Sequence, residues 1–90
     1  MHAVVVTVSI SEDADIPEVT KHLRENVVPT VSQRPGFVAG YWVRLEGGNQ
    51  GRSVIVFESE DAARGVKDNL QPAPGVTFDS VDIGEVVANA

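Results

Sequence analysis

Four side chains of this sequence could hold a small molecule between them: Thr7, Ser9, Trp42 and Arg44. An indole stacks on a flat ring, and a guanidinium at a pocket rim steers an anion or a phenolate. The two hydroxyls can orient a substrate oxygen or a bound water. Each also has an ordinary reading: a tryptophan packed under helices, an arginine solvated at a strand end or paired with Glu46, and hydroxyls that reflect strand propensity. His22 would serve as a general base only if it turned inward from its helix flank. Glu12, Asp13 and Asp15 lack the glycine and the distal glutamate of a calcium loop, so capping and solvation explain them. The run from Gly47 to Gly51 joins two strands with no helix following, which makes it a hairpin turn and not a phosphate cradle. No Ser/His/Asp set or carboxylate pair can be assembled.

Composition narrows the field further. The chain has no cysteine and two histidines, so disulfides and thiolate metal sites are absent and no metal is expected. Seven Lys/Arg against thirteen Asp/Glu give a net charge of −6, which excludes a nucleic-acid surface and disfavours anionic membranes. No apolar run approaches the ~20 residues of a spanning helix, and Met1-His2 leads directly into a strand pattern with no leader-like segment. The cytoplasm is the expected location. Ninety residues fit one domain, 1–90. A domain this small buries only about 60–65% of its unfolded surface, and without disulfides or metal a partner subunit is the compensation left.

The elements that must position these residues follow from periodicity. Residues 3–10 are β-branched and short, a first strand. Asp15 and Glu18 read as a capping pair around Pro17, and Ile16, Val19, Leu23 and Val27 form one apolar helical stripe. Pro29 predicts a kink or an early end. Residues 37–45 and 52–58 read as a hairpin, with Glu46 opposite Gly51, Arg44 opposite Ser53 and Trp42 opposite Ile55. Ser59 opens a second helix with Glu60 and Asp61 in its first turn, and the Pro-rich stretch 71–75 ends it. Residues 76–87 supply a last strand with a break or bulge expected near Gly84. The order βαββαβ predicts an α+β, ferredoxin-like plait: a four-stranded antiparallel sheet with both helices on one face.

Splitting each strand by parity leaves both sheet faces apolar. One face is expected to carry the pocket residues Thr7, Ser9, Trp42 and Arg44, with Gly40 leaving room beside the indole. The other is expected to carry Val4, Val6, Val8, Phe37, Tyr41, Val43, Val54 and Val56. Helices cover one face only, and no segment after the last strand is expected to shield the other. Roughly eight apolar side chains, at ~1.5–3 kcal/mol each on full burial, would then stand in water. The chain is therefore expected to pair with a second copy of itself through those faces.

The sequence Arg34-Pro35-Gly36-Phe37 opening the second strand, Phe57-Glu58-Ser59 closing the third, and Glu60-Asp61-Ala62-Ala63 starting a helix carry a resemblance. The chain resembles the dimeric α/β-barrel superfamily, particularly the antibiotic-biosynthesis-monooxygenase-like (ABM) group. That resemblance implies two sheets closing face to face and a pocket between each sheet and its own helices. It also implies a small aromatic ligand, bound or oxidised without a cofactor. The haem-degrading branch carries an asparagine on the first strand, a tryptophan in the second helix and a histidine ligand shortly after. The matching positions here look like Thr7 and Val66, with no histidine beyond His22, so the resemblance does not extend to that branch. A non-catalytic structural or regulatory homodimer is the alternative. The two differ in the space beside Trp42: a cavity of about 300 Å3 or more favours a ligand, and the absence of any void larger than a water rules one out.

Overall fold

A computed structural model describes all ninety residues, Met1–Ala90. In chain order it contains β1 (His2–Ile10), α1 (Ile16–His22), a π-helical turn (Leu23–Val27), α2 (Val28–Ser32), β2 (Phe37–Arg44), β3 (Gln50–Phe57), α3 (Glu60–Lys67) and β4 (Val76–Glu85). The strands form one antiparallel sheet in the order β2-β3-β1-β4, and the helical layer lies on one of its faces. This is the expected plait.

Local chemistry explains the helix ends. The Asp15 side chain accepts a hydrogen bond from the Glu18 N–H, with Pro17 in the first turn where no donor is needed. Ser59 Oγ likewise accepts from the Ala62 N–H at 3.1 Å to start α3. On that helix Arg64 donates to Glu60 at 2.9 Å. This hydrogen bond, then the arginine's charge, holds the Glu60 carboxyl below its ordinary pKa, although so exposed a pair adds little to stability. Pro29 does not end the first helical segment. Bonding widens immediately before it, where the Val28 N–H donates to the Leu23 carbonyl, and Pro29 then falls in the first turn of α2.

Four details of the sheet depart from the expectation. The hairpin is shifted by two residues: Arg44 pairs with Gly51, Trp42 with Ser53 and Gly40 with Ile55. The Leu45 N–H closes the loop on the Gln50 carbonyl, so the turn is residues 46–49 and not 47–50, with Gly47 and Gly48 both at positive φ. A two-residue shift keeps every side chain on its face, so Trp42 and Arg44 stay with Ser53 and Ile55.

The assignment of β1 is reversed. Val4, Val6 and Val8 pair with Ile55, Ser53 and Gly51 and point toward the helices, while Val5, Thr7 and Ser9 point the other way. Both parities of β1 are rich in valine, so alternation alone does not say which one goes inside. Phe37 also moves to the helix side. Val38 is an extra residue in β2, which turns Phe37 under the helices and edge-on to Phe57, with ring centroids 6.0 Å apart.

Finally, the bulge of β4 is at Asp79 and not at Gly84, which pairs regularly with Ala3. One inserted residue there keeps Val76 and Phe78, then Val81 and Ile83, on the helix face despite their uneven spacing.

The core joins Val4, Val6, Ile55 and Phe57 of the sheet to Val31 of α2 and to Ala63 and Val66 of α3. The small side chains of α3 let it pack closely on β1, β3 and β4, and α2 packs on β2. By contrast α1 and the π-helical turn stand farther from the sheet and contain no fully buried residue. Ile55 is 1% exposed at the centre of this core. Ile55→Ala should cost about 2–5 kcal/mol in urea unfolding; a loss below about 1 kcal/mol would contradict the placement.

Candidate functional site

Because α1 stands off while α2 and α3 pack down, a void remains beneath α1. Its floor is Val6 and Val8 of β1 with Ser53 and Ile55 of β3, and its roof is Val19, Leu23 and Val27. Phe78 of β4, Leu70 and Trp42 close the sides, and Arg44 stands at the rim. The volume is about 100 Å3. That is several times the ~30 Å3 share of one water and well short of the ~300 Å3 at which drug-sized pockets begin. The wall is mainly hydrophobic, and its only charged residues are Arg44 and Arg52.

Trp42 owes its position to Gly40. A Cβ at Gly40 would lie 2.8 Å from two atoms of the six-membered indole ring, so the ring lies back along its own strand over that glycine. The room expected beside the tryptophan is therefore filled by the tryptophan. It serves as one wall of the void. Gly51 has a similar role opposite Arg44: a Cβ there would come within 3.0 Å of Val8 Cγ2 and 3.1 Å of the Val43 carbonyl. With no side chain across from it, Arg44 stays exposed at the rim, and it makes no ion pair with Glu46.

Of the four expected pocket residues, the structure brings Trp42 and Arg44 together at the cavity and leaves out Thr7 and Ser9. Those two lie on the opposite face, where Thr7 is paired with Arg52 and Ser9 Oγ donates to the Asp79 carboxylate at 2.5 Å. The hydroxyl at the cavity belongs to Ser53, which the sequence reading placed on this face but did not single out. Ser53 is 7% exposed, faces the void between Val6 and Trp42, and has no protein hydrogen-bond partner. The one sequence signal for it is a serine in register with Ile55 and Phe57, where an apolar residue would otherwise stand.

The remaining candidates lie elsewhere. The His22 ring nitrogen Nδ1 is 3.4 Å from the Asn26 side-chain amide on the helix flank, away from the cavity. Ser11 Oγ accepts from the Asp13 N–H, Asp15 caps α1, and no group of three His, Cys, Asp or Glu side chains is placed to bind a metal. Haem iron takes His, Cys, Met or Tyr as its protein ligand. None of His2, His22, Met1 and Tyr41 lines the void, and its volume is far too small for a porphyrin, so these residues do not fit a haem.

The outer face of the sheet presents Tyr41 at 66%, Val43 at 52% and Val54 at 38% exposure, with Val56 half-buried among them. These four of the eight residues expected on that face are there. Val4, Val6, Val8 and Phe37 are under the helices instead.

A βαββαβ plait with an apolar pocket between sheet and helices defines a recognisable class of small α+β protein. Residues 1–69 match the model of the antibiotic biosynthesis monooxygenase (ABM) family, and the chain belongs to that family. Among solved structures it is similar to the heme-degrader MhuD of Mycobacterium tuberculosis, determined with two hemes bound in its active site. The two are 21% identical over 100% of this chain and 99% of that one, with a TM-score of 0.73. It is also similar to a dimeric ferredoxin-like protein from an uncultured marine organism: 12% identity, coverage of 100% and 98%, TM-score 0.66. At these identities the likeness is one of fold. No curated protein sequence matches the chain.

The close fit of indole and glycine is open to test. Gly40→Ala should push the ring off the strand, shift the emission of this single tryptophan and cost about 1–3 kcal/mol by overpacking. Unchanged emission with unchanged stability would show that the ring is not there.

Proposed function

We propose that the chain works as a homodimer and binds a small aromatic molecule between α1 and the sheet. The observation that carries this reading is the void of about 100 Å3 beside Trp42, walled mainly by apolar side chains, with the polar residues Ser53, Gln71, Arg44 and Arg52 among its lining. Apolar walls with a few placed polar groups are the usual make-up of a small-molecule site. The void is larger than packing defects normally are, and a purely structural dimer would have no use for it.

Binding is better supported than turnover. Oxidising a phenol or quinol without a cofactor needs a group that accepts the ring hydroxyl's proton. The wall holds no carboxylate, histidine, tyrosine or cysteine. Trp42 would stack on the ring, Ser53 would hydrogen-bond one substituent, and Arg44 would meet an anionic end at the rim. Pairing of two chains is supported by the outer face, where Tyr41, Val43 and Val54 stand in water on one copy alone. The dimeric ferredoxin-like neighbour adds to that reading.

Titrating the protein with aromatic compounds of one to three rings, while following Trp42 fluorescence, tests the site. At least one compound should give a saturable change, and oxygen uptake with a hydroquinone should not exceed that of buffer. A flat response across the panel would leave the cavity without a ligand role, and protein-dependent oxygen uptake would overturn the preference for binding.

A further inference from the structure

Resting on the ligand-binding reading above, we infer that the ligand is a single aromatic ring bearing one anionic group, a benzoate-like acid, and not a fused polycycle. Size is the first argument. An engineered apolar cavity of about 150 Å3 admits benzene, and the void here is about 100 Å3 with part of its boundary open. A single ring fits only with its edge as well as its substituent in the open mouth. Two fused rings do not fit without displacing the wall, and that wall includes Trp42, itself seated tightly on Gly40.

Charge is the second argument. In a chain of net charge −6, Arg44 is a basic side chain at the cavity rim and, like every Lys and Arg other than Arg64, it makes no ion pair. The molecule's one ion pair joins Glu60 and Arg64 on α3. Gly51, across from Arg44, carries no side chain of its own and the Val8 methyl fills its place, while the arginine stays exposed at the rim where a group emerging from the cavity can meet it. Its planar donors match a carboxylate, which can be held by two parallel hydrogen bonds. A neutral ring would fill the void equally well but leave Arg44 unused. At the floor, the Ser53 hydroxyl has no partner in the protein and supplies one hydrogen bond to a ring substituent.

The experiment compares toluene, benzoate and 1-naphthoate by Trp42 emission, on the native chain and on Arg44→Gln. Benzoate should bind roughly tenfold or more tightly than toluene, as a charge-assisted hydrogen bond implies. Naphthoate should bind more weakly than benzoate. Arg44→Gln should close the gap between benzoate and toluene, and toluene binding by the variant shows that its cavity is intact. If the variant does not fold, the comparison on the native chain still decides. Toluene matching benzoate, naphthoate exceeding it, or a gap that survives Arg44→Gln would each overturn the inference while leaving an aromatic site in place. Silence from all three compounds and from larger rings would remove the site itself.

Discussion

Val4 and Ile55 pair across the middle of the sheet and are dry beneath the helices, and this contact decides which way every other strand residue points. Strand side chains alternate, so fixing one pair fixes the row: Val6 beside Ser53 and Trp42, Val8 beside Gly51 and Arg44. The opposite parity of β1 and β3 is thereby turned outward, with Val5, Thr7, Val54 and Val56 on a face that the chain's own helices do not reach. A one-residue slip would exchange the two sets at once. The cavity and the bare outer face both follow from this pairing.

The helical layer over that core is uneven, and its unevenness makes the cavity. Ala63 and Val66 are small enough to bring α3 close to the sheet, and Val31 anchors α2. Over the remainder, α1 and the π-helical turn present Val19, Leu23 and Val27 from farther away, and the space is not filled. A π-helical turn is commonly associated with function because its wider bonding is a cost that packing alone does not require. Here it also admits Pro29 without ending the helical run. The aromatic row of Phe57, Phe37 and Trp42 closes one flank, with Gly40 providing the seat for the indole.

Much of this was legible in the sequence. The βαββαβ order, the caps at Asp15 and Ser59, and the face shared by Trp42, Arg44, Ser53 and Ile55 all follow from local patterns of residues. The orientation of β1 was not legible, because a strand with valines at positions 4, 5, 6 and 8 is apolar on both sides and only its long-range pairing breaks the tie. The bulges at Val38 and Asp79 were equally hidden. Neither position carries a glycine to mark it, whereas Gly84, which attracted the prediction, sits in regular pairing. Thr7 and Ser9 fall at the pocket only if β1 is turned over, and Ser53 is inconspicuous because a serine in a strand has no distinctive spacing.

The account stands on an asymmetry: one face of the sheet is closed by its own helices, and the other keeps apolar side chains exposed. Full burial of an aliphatic or aromatic side chain is worth about 1.5–3 kcal/mol, a gain that association sets against about 4–15 kcal/mol of lost translational and rotational freedom. Sedimentation equilibrium at low micromolar concentration measures this most directly. The account predicts a folded particle of twice the 9.6 kDa of one chain. A folded particle with the mass of a single chain, unchanged as concentration rises, would contradict it.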